Sequence, residues 1–386
     1  MARRYADRLK DIEPFRVVEV LAEARRMASE GRDIVHMEAG EPDFTTAAPI
    51  IEAAKKALDN GATHYSSALG LPELRQKIAD FYQQQYGISI PARRITVTPG
   101  ASGALLLVSA LLMNPGKGLL MADPGYPCNR NFLRLVEGEG QLVPVSSKDR
   151  YQLTAEIAEG AWQANTVGAI VASPANPTGE ILTRQQLQDL HQLISRKNGY
   201  LVVDEIYHGL TYDEDAASIL EITDDAFVIN SFSKFFGMTG WRLGWLVAPE
   251  DAIDDLERLA QNLFISMSTM SQYAALAGFE EQTLKILEQR RLIFKQRRDF
   301  LLPQLRDIGF EIPHTPAGAL YLYADCSRFT NNSTEFCQEI LQNHGVALTP
   351  GADFGRYRAE QHLRFAYTTS MGQLEKGVTR LRDALR

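Results

Sequence analysis

The sequence predicts an α/β protein in which helices cover both faces of a mainly parallel central sheet. Between residues 46 and 285, short apolar runs rich in β-branched residues alternate with amphipathic segments of helical period. Most of these runs are continuously apolar, which is typical of strands covered on both faces. Because strands that alternate with helices form parallel units, we expect a three-layer sandwich around a seven-stranded sheet.

Seven runs have the composition and length of buried strands. In chain order they are Ile95–Thr98, Leu119–Ala122, Gln141–Val145, Val167–Ala172, Leu201–Asp204, Phe227–Ser231 and Leu243–Val247. The helices between them have recognisable ends. One is predicted over Pro72–Tyr86 and stops at Gly87, a second covers Ser102–Met113, and a third begins with the capping-box pair Thr183 and Gln186 and ends near Gly199.

The pattern of predicted helices and strands changes near residue 286. A long charged helix (Arg290–Leu305), short strands and a final helix follow there, which indicates a smaller α+β unit. We therefore predict a large domain over residues 46–285 and a small C-terminal domain over 286–386. Residues 1–45 would form an N-terminal arm and part of the small domain, with a helix over Phe15–Ser29.

Composition excludes several classes of protein. The 40 Lys and Arg against 48 Asp and Glu give a net charge of −8, which argues against nucleic-acid or anionic-membrane partners. The three cysteines are scattered and no His or Cys spacing suits a metal, so we expect neither disulfides nor a metal site. The chain has no apolar signal segment near its start and no membrane-length apolar run, and a cytoplasmic location is therefore expected.

Polar residues follow several strands of the predicted sheet. Ligands of open α/β sheets bind beyond the carboxyl ends of the strands. After the first strand, a turn of small residues (Thr98–Gly103) opens a helix whose free N–H groups suit an anion such as a phosphate, although a plain tight turn has the same composition. Asp204 ends the fifth strand, where a buried acid needs a cationic partner. Lys234 follows the sixth strand among small and aromatic residues, which favours a desolvated, reactive amine.

An anion site, a buried acid and a reactive lysine at neighbouring strand ends together predict pyridoxal 5′-phosphate as the cofactor. That cofactor needs a lysine for its Schiff base and an acid that keeps its ring nitrogen protonated. It also needs a phosphate site and usually an aromatic side chain against its ring.

Eight motifs then make the sequence similar to a known family. They are AGEPDF at 39–44, YSSALGLPELR at 65–75, PGA at 99–101, DPGYP at 123–127, SPANPTG at 173–179, DEIY at 204–207, SFSKFFGMTGWRLG at 231–244 and HLRF at 362–365. In this order they resemble the fold-type I pyridoxal-phosphate enzymes of the class I and II aminotransferase family. The resemblance runs from about Gly40 to Ser370, nearly the whole chain.

The resemblance implies a role for each motif. Lys234 would form the Schiff base and act as general base and acid, with Asp204 on the ring nitrogen and Tyr207 as a third catalytic residue. The remaining cofactor contacts would be the phosphate ligands Ala101, Ser102, Ser231, Ser233 and Arg242, the stacking ring of Tyr126, the ring-oxygen donors Asn176 and Tyr207, and Tyr65 reaching the phosphate of the other subunit. Arg364 would clamp the substrate α-carboxylate beside Gly40 and Asn176.

The resemblance also implies the reaction, a ping-pong transfer of an amino group from an L-amino acid to a 2-oxo acid in a homodimer with shared sites. Some aspartate aminotransferases of the family carry a lysine where this chain has Ser102, and the segment 12–15, which often covers the substrate, is largely apolar. We therefore expect neutral or aromatic amino acids. Aspartate with 2-oxoglutarate is the alternative substrate pair, and a C–S β-lyase is the alternative reaction. Arg130 could face the pocket or the solvent.

Overall fold

The computed structural model describes residues 5–386. Its α-helices are α1 (Arg16–Ser29), α2 (Ala48–Asp59), α3 (Pro72–Tyr86), α4 (Gly100–Leu112), α5 (Cys128–Leu135), α6 (Ala155–Ala161), α7 (Arg184–Arg196), α8 (Ile253–Leu263), α9 (Thr269–Leu276), α10 (Glu281–Ile308), α11 (Ser333–Glu339) and α12 (Met371–Ala384). Its strands are β1 (Val35–His36), β2 (Ile95–Thr98), β3 (Gly118–Asp123), β4 (Glu139–Pro144), β5 (Thr166–Ala172), β6 (Tyr200–Asp204), β7 (Phe227–Ser231), β8 (Gly244–Val247), β9 (Tyr321–Asp325), β10 (Val346–Ala347), β11 (Thr349–Pro350) and β12 (His362–Ala366).

A seven-stranded sheet forms the centre of the molecule, in the order β2-β8-β7-β6-β5-β3-β4. Strand β8 runs antiparallel to both of its neighbours, and the other pairs are parallel. Successive side chains of a strand point to opposite faces. Val203 accordingly packs in a cluster with Leu187 of α7, whereas Val202 packs in another with Leu105 of α4. Helices thus cover both faces, and the predicted α/β fold class is confirmed.

The element bounds agree closely with those predicted from the sequence. Strands β2 and β7 match residue for residue, the other strands differ by one or two residues, and the capping box at Thr183 opens α7. The one large difference is α10, which begins at Glu281 rather than Arg290. Its early turns are charged and carry few apolar residues, so the periodic pattern becomes visible only further along the helix.

A second, smaller sheet has the order β11-β12-β9 and is antiparallel. Strand β1 pairs with β10, so part of the N-terminal arm packs with the C-terminal region. Helix α10 serves two apolar clusters, since Leu287 packs with the large sheet and Phe294 with the small one. The predicted domain limit at 285/286 falls inside α10, and the division into domains stays a prediction.

Within residues 5–386, none of the helices combines the length and apolar character needed to cross a membrane.

Candidate active site

A cavity of about 240 Å³ opens at the carboxyl ends of β6 and β7, between the two sheets. Its lining contains every candidate site residue except Tyr65: Gly40, Ala101, Ser102, Tyr126, Asn176, Asp204, Tyr207, Ser231, Ser233, Lys234, Arg242 and Arg364. Phe15, the last residue of the segment expected to cover the substrate, also lines the cavity, and the lining residues without an expected role are Val17, Leu105, Ile206, Thr239 and Tyr321. The structure therefore brings together side chains from motifs more than 300 residues apart.

Lys234 lies in the turn that follows β7 and is half-buried. Its Nζ atom donates a hydrogen bond of 2.8 Å to the carbonyl of Gly40, and it lies 5.6 Å from the ring centre of Tyr207. No carboxylate within residues 5–386 forms a salt bridge with this amine. The amine is therefore held in the cavity lining by one backbone acceptor, and no acid within residues 5–386 pairs with it.

Asp204 is the last residue of β6 and is only 3% exposed. Its Oδ1 accepts a hydrogen bond from the N–H of Ile206, and no salt bridge to it is found in the described part of the chain. Burial raises the pKa of the Asp204 carboxyl to about 7, against the smaller, opposite effects of Ile206 and Lys234. A buried acid of this kind is stabilised as a carboxylate only when a cation or a charged N–H reaches it.

Arg364 of β12 is only 2% exposed, and no carboxylate of residues 5–386 forms a salt bridge with it. Its Nη1 donates to Asn176 Oδ1 at 3.0 Å, and its Nη2 donates to the carbonyl of Glu38 at 2.6 Å. The guanidinium lies over the rings of Tyr321 and Phe354, at 4.2 and 4.7 Å from their centres. Neutral groups thus orient the guanidinium, and no acid of residues 5–386 pairs with it, so its charge is available to a carboxylate in the cavity.

The anion-binding side of the cavity is built at the start of α4. The first N–H groups of this helix have no partner inside it, and the positive end of its dipole lies there. Arg242 lies beside this helix start, and a Cβ atom at Gly100 would lie 2.6 Å from Arg242 Nη2. The glycine leaves room for the guanidinium. Nearby, the N–H of Ser233 donates to Ser231 Oγ, which brings the two hydroxyl-bearing residues side by side.

Aromatic side chains surround the rest of the cavity. Tyr126 meets Phe15 edge to face at 6.2 Å between ring centres, and Phe15 and Val17 form the side contributed by the N-terminal arm. Arg130 lies outside this lining and pairs with Glu13 at 3.0 Å. It borders a smaller neighbouring cavity that Tyr126 and Asn176 also line. Tyr65 lies apart from the cavity of its own chain, with 81% of its surface exposed.

Sequence reasoning missed Tyr321, which the structure places between two of the assigned residues. Its hydroxyl lies 2.6 Å from that of Tyr207, and its ring faces Arg364. Side chains alternate between the two faces of a strand, so the sequence indicates that Tyr321 and Tyr323 lie on the same face of β9. It does not indicate which part of the molecule that face contacts.

The sheet and this cavity define a fold-type I pyridoxal-phosphate enzyme. The chain belongs to the class I and II aminotransferase family, whose family model matches residues 32–381. It is similar to a (5-formylfuran-3-yl)methyl phosphate transaminase of Methanocaldococcus jannaschii (35% identical over 381 residues, 98% of each chain). It is also similar to a valine–pyruvate aminotransferase of Mycobacterium tuberculosis (36% identical over 374 residues, 96% of each chain). A crystal structure of an aminotransferase from Mycobacterium tuberculosis superimposes with a TM-score of 0.97 at 34% identity, covering 100% of this chain and 99% of that one.

The protein is therefore an aminotransferase that depends on pyridoxal phosphate. The residues present fit this cofactor. The buried carboxylate of Asp204, which has no cationic partner within residues 5–386, suits a protonated ring nitrogen, the start of α4 with Arg242 suits a phosphate, and the amine of Lys234 lines the same cavity.

Proposed function

We propose that this aminotransferase takes its amino group from neutral or aromatic L-amino acids. The observation that carries the proposal is the number of cations in the cavity. The lining holds three cationic side chains, Lys234, Arg242 and Arg364, and each would bind the cofactor or the substrate. The part of the chain that the structure describes offers no further cation in this lining for the distal carboxylate of an acidic substrate.

Arg364 and Lys234 would act on the substrate itself. The buried guanidinium of Arg364 would bind the α-carboxylate, and Asn176 holds that guanidinium through Nη1. Lys234 would act first as the base that removes the proton from the substrate Cα. It would then act as the acid that returns a proton to the cofactor. The Tyr321 hydroxyl occupies the space that a side chain at residue 40 would need, so, contrary to the expectation from the sequence, Gly40 would not make room for the substrate and would contact it only through its backbone.

The remaining residues would hold the cofactor. When bound, pyridoxal phosphate withdraws electrons from the substrate Cα and carries the amino group between the two half-reactions. Asp204 would keep its ring nitrogen protonated, Tyr126 would stack on the ring, and Asn176 and Tyr207 would donate to the ring oxygen. The phosphate would be bound by the N–H groups of Ala101 and Ser102, the residues Ser231, Ser233 and Arg242, and Tyr65 of a second copy of the chain.

The arm of the protein supports an apolar side-chain pocket. Phe15 and Val17 contribute carbon surface to the cavity, as Leu105 does, and Phe15 packs edge to face on Tyr126. Arg130, the cation nearest in sequence to Tyr126, is already paired with Glu13. The chain is similar both to a valine–pyruvate aminotransferase and to aspartate aminotransferases, so the choice of a neutral donor rests on the cavity lining.

The first test is an absorbance scan of the holoenzyme with single amino acids and no 2-oxo acid. Valine, alanine, phenylalanine and aspartate are compared. A neutral or aromatic donor should bleach the yellow cofactor band once and release one equivalent of 2-oxo acid. Faster bleaching by aspartate would contradict the neutral-donor proposal. Continued release of ammonia with a persistent band would instead identify the β-lyase reaction.

A further inference from the structure

Tyr207 and Tyr321 form a pair of buried hydroxyls in the wall of the active-site cavity. Tyr207 is 2% exposed and Tyr321 1%, and their oxygens lie 2.6 Å apart. Their rings meet at 83° with 5.8 Å between centres. Neither hydroxyl has another hydrogen-bond partner among residues 5–386. The contact is therefore the only polar anchor that each side chain has within the described chain.

The ring of Tyr321 also supports the carboxylate-binding arginine. The Arg364 guanidinium carbon lies 4.2 Å from the ring centre, a close cation–π contact in a buried setting. Arg364 Nε has no hydrogen-bond partner among residues 5–386, so the plane of the guanidinium is fixed by its two terminal nitrogens and by the rings of Tyr321 and Phe354, of which Tyr321 is the nearer. Tyr321 thus touches both the side chain proposed to donate to the cofactor and the one proposed to bind the substrate.

Gly40 shows that the position of the Tyr321 hydroxyl is tightly defined. A Cβ atom at residue 40 would overlap that hydroxyl oxygen and the ring carbon that bears it. The chain therefore needs glycine at this position to admit the tyrosine. The carbonyl of the same glycine accepts the hydrogen bond from Lys234, so the hydroxyl pair also borders the reactive amine.

We propose that Tyr321 is a positioning residue with two roles. Its hydroxyl orients the Tyr207 hydroxyl so that Tyr207 donates its proton to the cofactor ring oxygen, and its ring holds Arg364 in place to bind the substrate carboxylate. The proposal rests on the cofactor and carboxylate sites described above. If Tyr207 donates its proton to the cofactor ring oxygen, the bond between the two tyrosines must run from Tyr321 to Tyr207. A hydroxyl that accepts one hydrogen bond becomes a stronger donor in another, so Tyr321 strengthens the donation by Tyr207.

Three substitutions separate the two parts of this role. Tyr321→Phe removes only the hydroxyl, and Tyr321→Leu also removes the ring. Tyr367→Phe is the matched control, because it deletes another fully buried hydroxyl that donates to the carbonyl of Ala319 and lies outside the cavity lining. Circular dichroism and thermal melting of each holoenzyme check that the variants are folded.

Two readouts need no turnover. The first is the pH titration of the bound-cofactor absorbance, in which Tyr321→Phe should raise the apparent pKa by about half a pH unit because a weaker donor stabilises the ring oxyanion less. The second is the affinity for 3-phenylpropanoate, a carboxylate without an amino group. It should fall about tenfold in Tyr321→Leu and stay within about twofold in Tyr321→Phe, which keeps the ring.

A double-substitution cycle decides whether the hydroxyl acts through Tyr207. In a Tyr207→Phe background, Tyr321→Phe should no longer move the absorbance pKa. An unchanged pKa in the single variant, an equal shift in both backgrounds, or the same shift in Tyr367→Phe would overturn the proposal. If Tyr321→Leu does not fold, the phenylalanine variants still decide. A wild-type protein that binds no pyridoxal phosphate would instead overturn the proposed site, and the two failures are thus distinct.

Discussion

Lys234 is the residue on which the proposed chemistry depends most directly. Its amine has a backbone acceptor at Gly40 and no acidic partner within residues 5–386, so substitution leaves no buried charge unpaired. We predict that Lys234→Ala keeps the fold and binds pyridoxal phosphate without covalent attachment. Turnover should fall by about a thousandfold, because the proton-transfer group is lost.

Activity assays, together with dialysis of the bound cofactor, check this prediction. Lys55→Ala is the control, since Lys55 is an exposed lysine paired with Glu52. Wild-type turnover in Lys234→Ala would contradict the assignment of the lysine.

The raised pKa of the Asp204 carboxyl leads us to predict that the stability of the cofactor-free enzyme depends on pH. Burial raises its pKa from 3.8 to about 7, so the folded protein holds a proton that the unfolded chain has lost. Stability contributed by this group therefore falls as pH rises between those values. Between about pH 5 and pH 8, the melting temperature of apo Asp204→Asn should decrease less than that of the apo wild type.

Cofactor binding should remove this difference, because a protonated ring nitrogen beside Asp204 favours the carboxylate. Thermal melts of the apo and holo forms of both proteins across that pH range test the prediction. Parallel curves for apo wild type and apo Asp204→Asn would show that Asp204 does not titrate there.

These residue assignments differ in how visible they are in the sequence. Lys234 and Asp204 stand directly after buried strands, so local pattern and the rule of strand ends place them together. The role of Arg364 follows from resemblance to the family, and only the structure shows that its partners within residues 5–386 are neutral groups. Tyr321 could not be found, because its partner is 114 residues away and no short motif records that contact.

At the scale of elements, helix α1 is capped from a distant part of the chain. The N–H groups of Arg16 and Val17 donate to the buried carboxylate of Asp353, 337 and 336 residues away, at 2.8 and 3.4 Å. Phe15 and Val17, at the start of this helix, line the cavity. Asp353 therefore fixes the apolar side of the cavity through the helix that carries it.

We predict that Asp353→Ala raises KM for phenylalanine roughly fivefold, equivalent to about 1 kcal/mol of lost capping. The KM for alanine should change less, because its methyl group does not reach as far towards Phe15. Steady-state kinetics with both donors measures the difference. Thr183→Ala is the control, since it removes the cap of α7, which does not contribute to the cavity lining. Equal changes for both donors would contradict this role.

The contrast between these two helices explains what sequence pattern can predict. The capping box of α7 lies within four consecutive residues, and the sequence analysis identified it. The cap of α1 depends on tertiary structure, and Asp353 has no feature in the sequence that marks it. Helix ends with local caps are therefore predictable, whereas helices held by remote side chains are recognised only when the fold is known.

At the scale of the whole molecule, Tyr65 is the one candidate site residue that does not line the cavity of its own chain. The residue is 81% exposed, although the resemblance to the family implies that it contacts the cofactor phosphate. We predict a homodimer in which Tyr65 completes the site of the other copy. Sedimentation should give twice the 43.1 kDa mass of one chain.

In that dimer, Tyr65→Phe should weaken pyridoxal phosphate binding about tenfold, because a hydrogen bond to a charged phosphate is lost. Cofactor titration of the apoenzyme measures the change. Tyr200→Phe at another exposed tyrosine is the control and should leave affinity unchanged. A fully active monomer would contradict the shared site.

Helix α10 has a consequence for any motion between the two sheets. Its 28 residues span about 42 Å, and it contributes Leu287 to one apolar cluster and Phe294 to the other. One continuous helix thus contributes to both apolar clusters. Any widening of the cavity between the two sheets would have to bend this helix between residues 287 and 294 or draw one of these two side chains out of its cluster, and either change would oppose the opening.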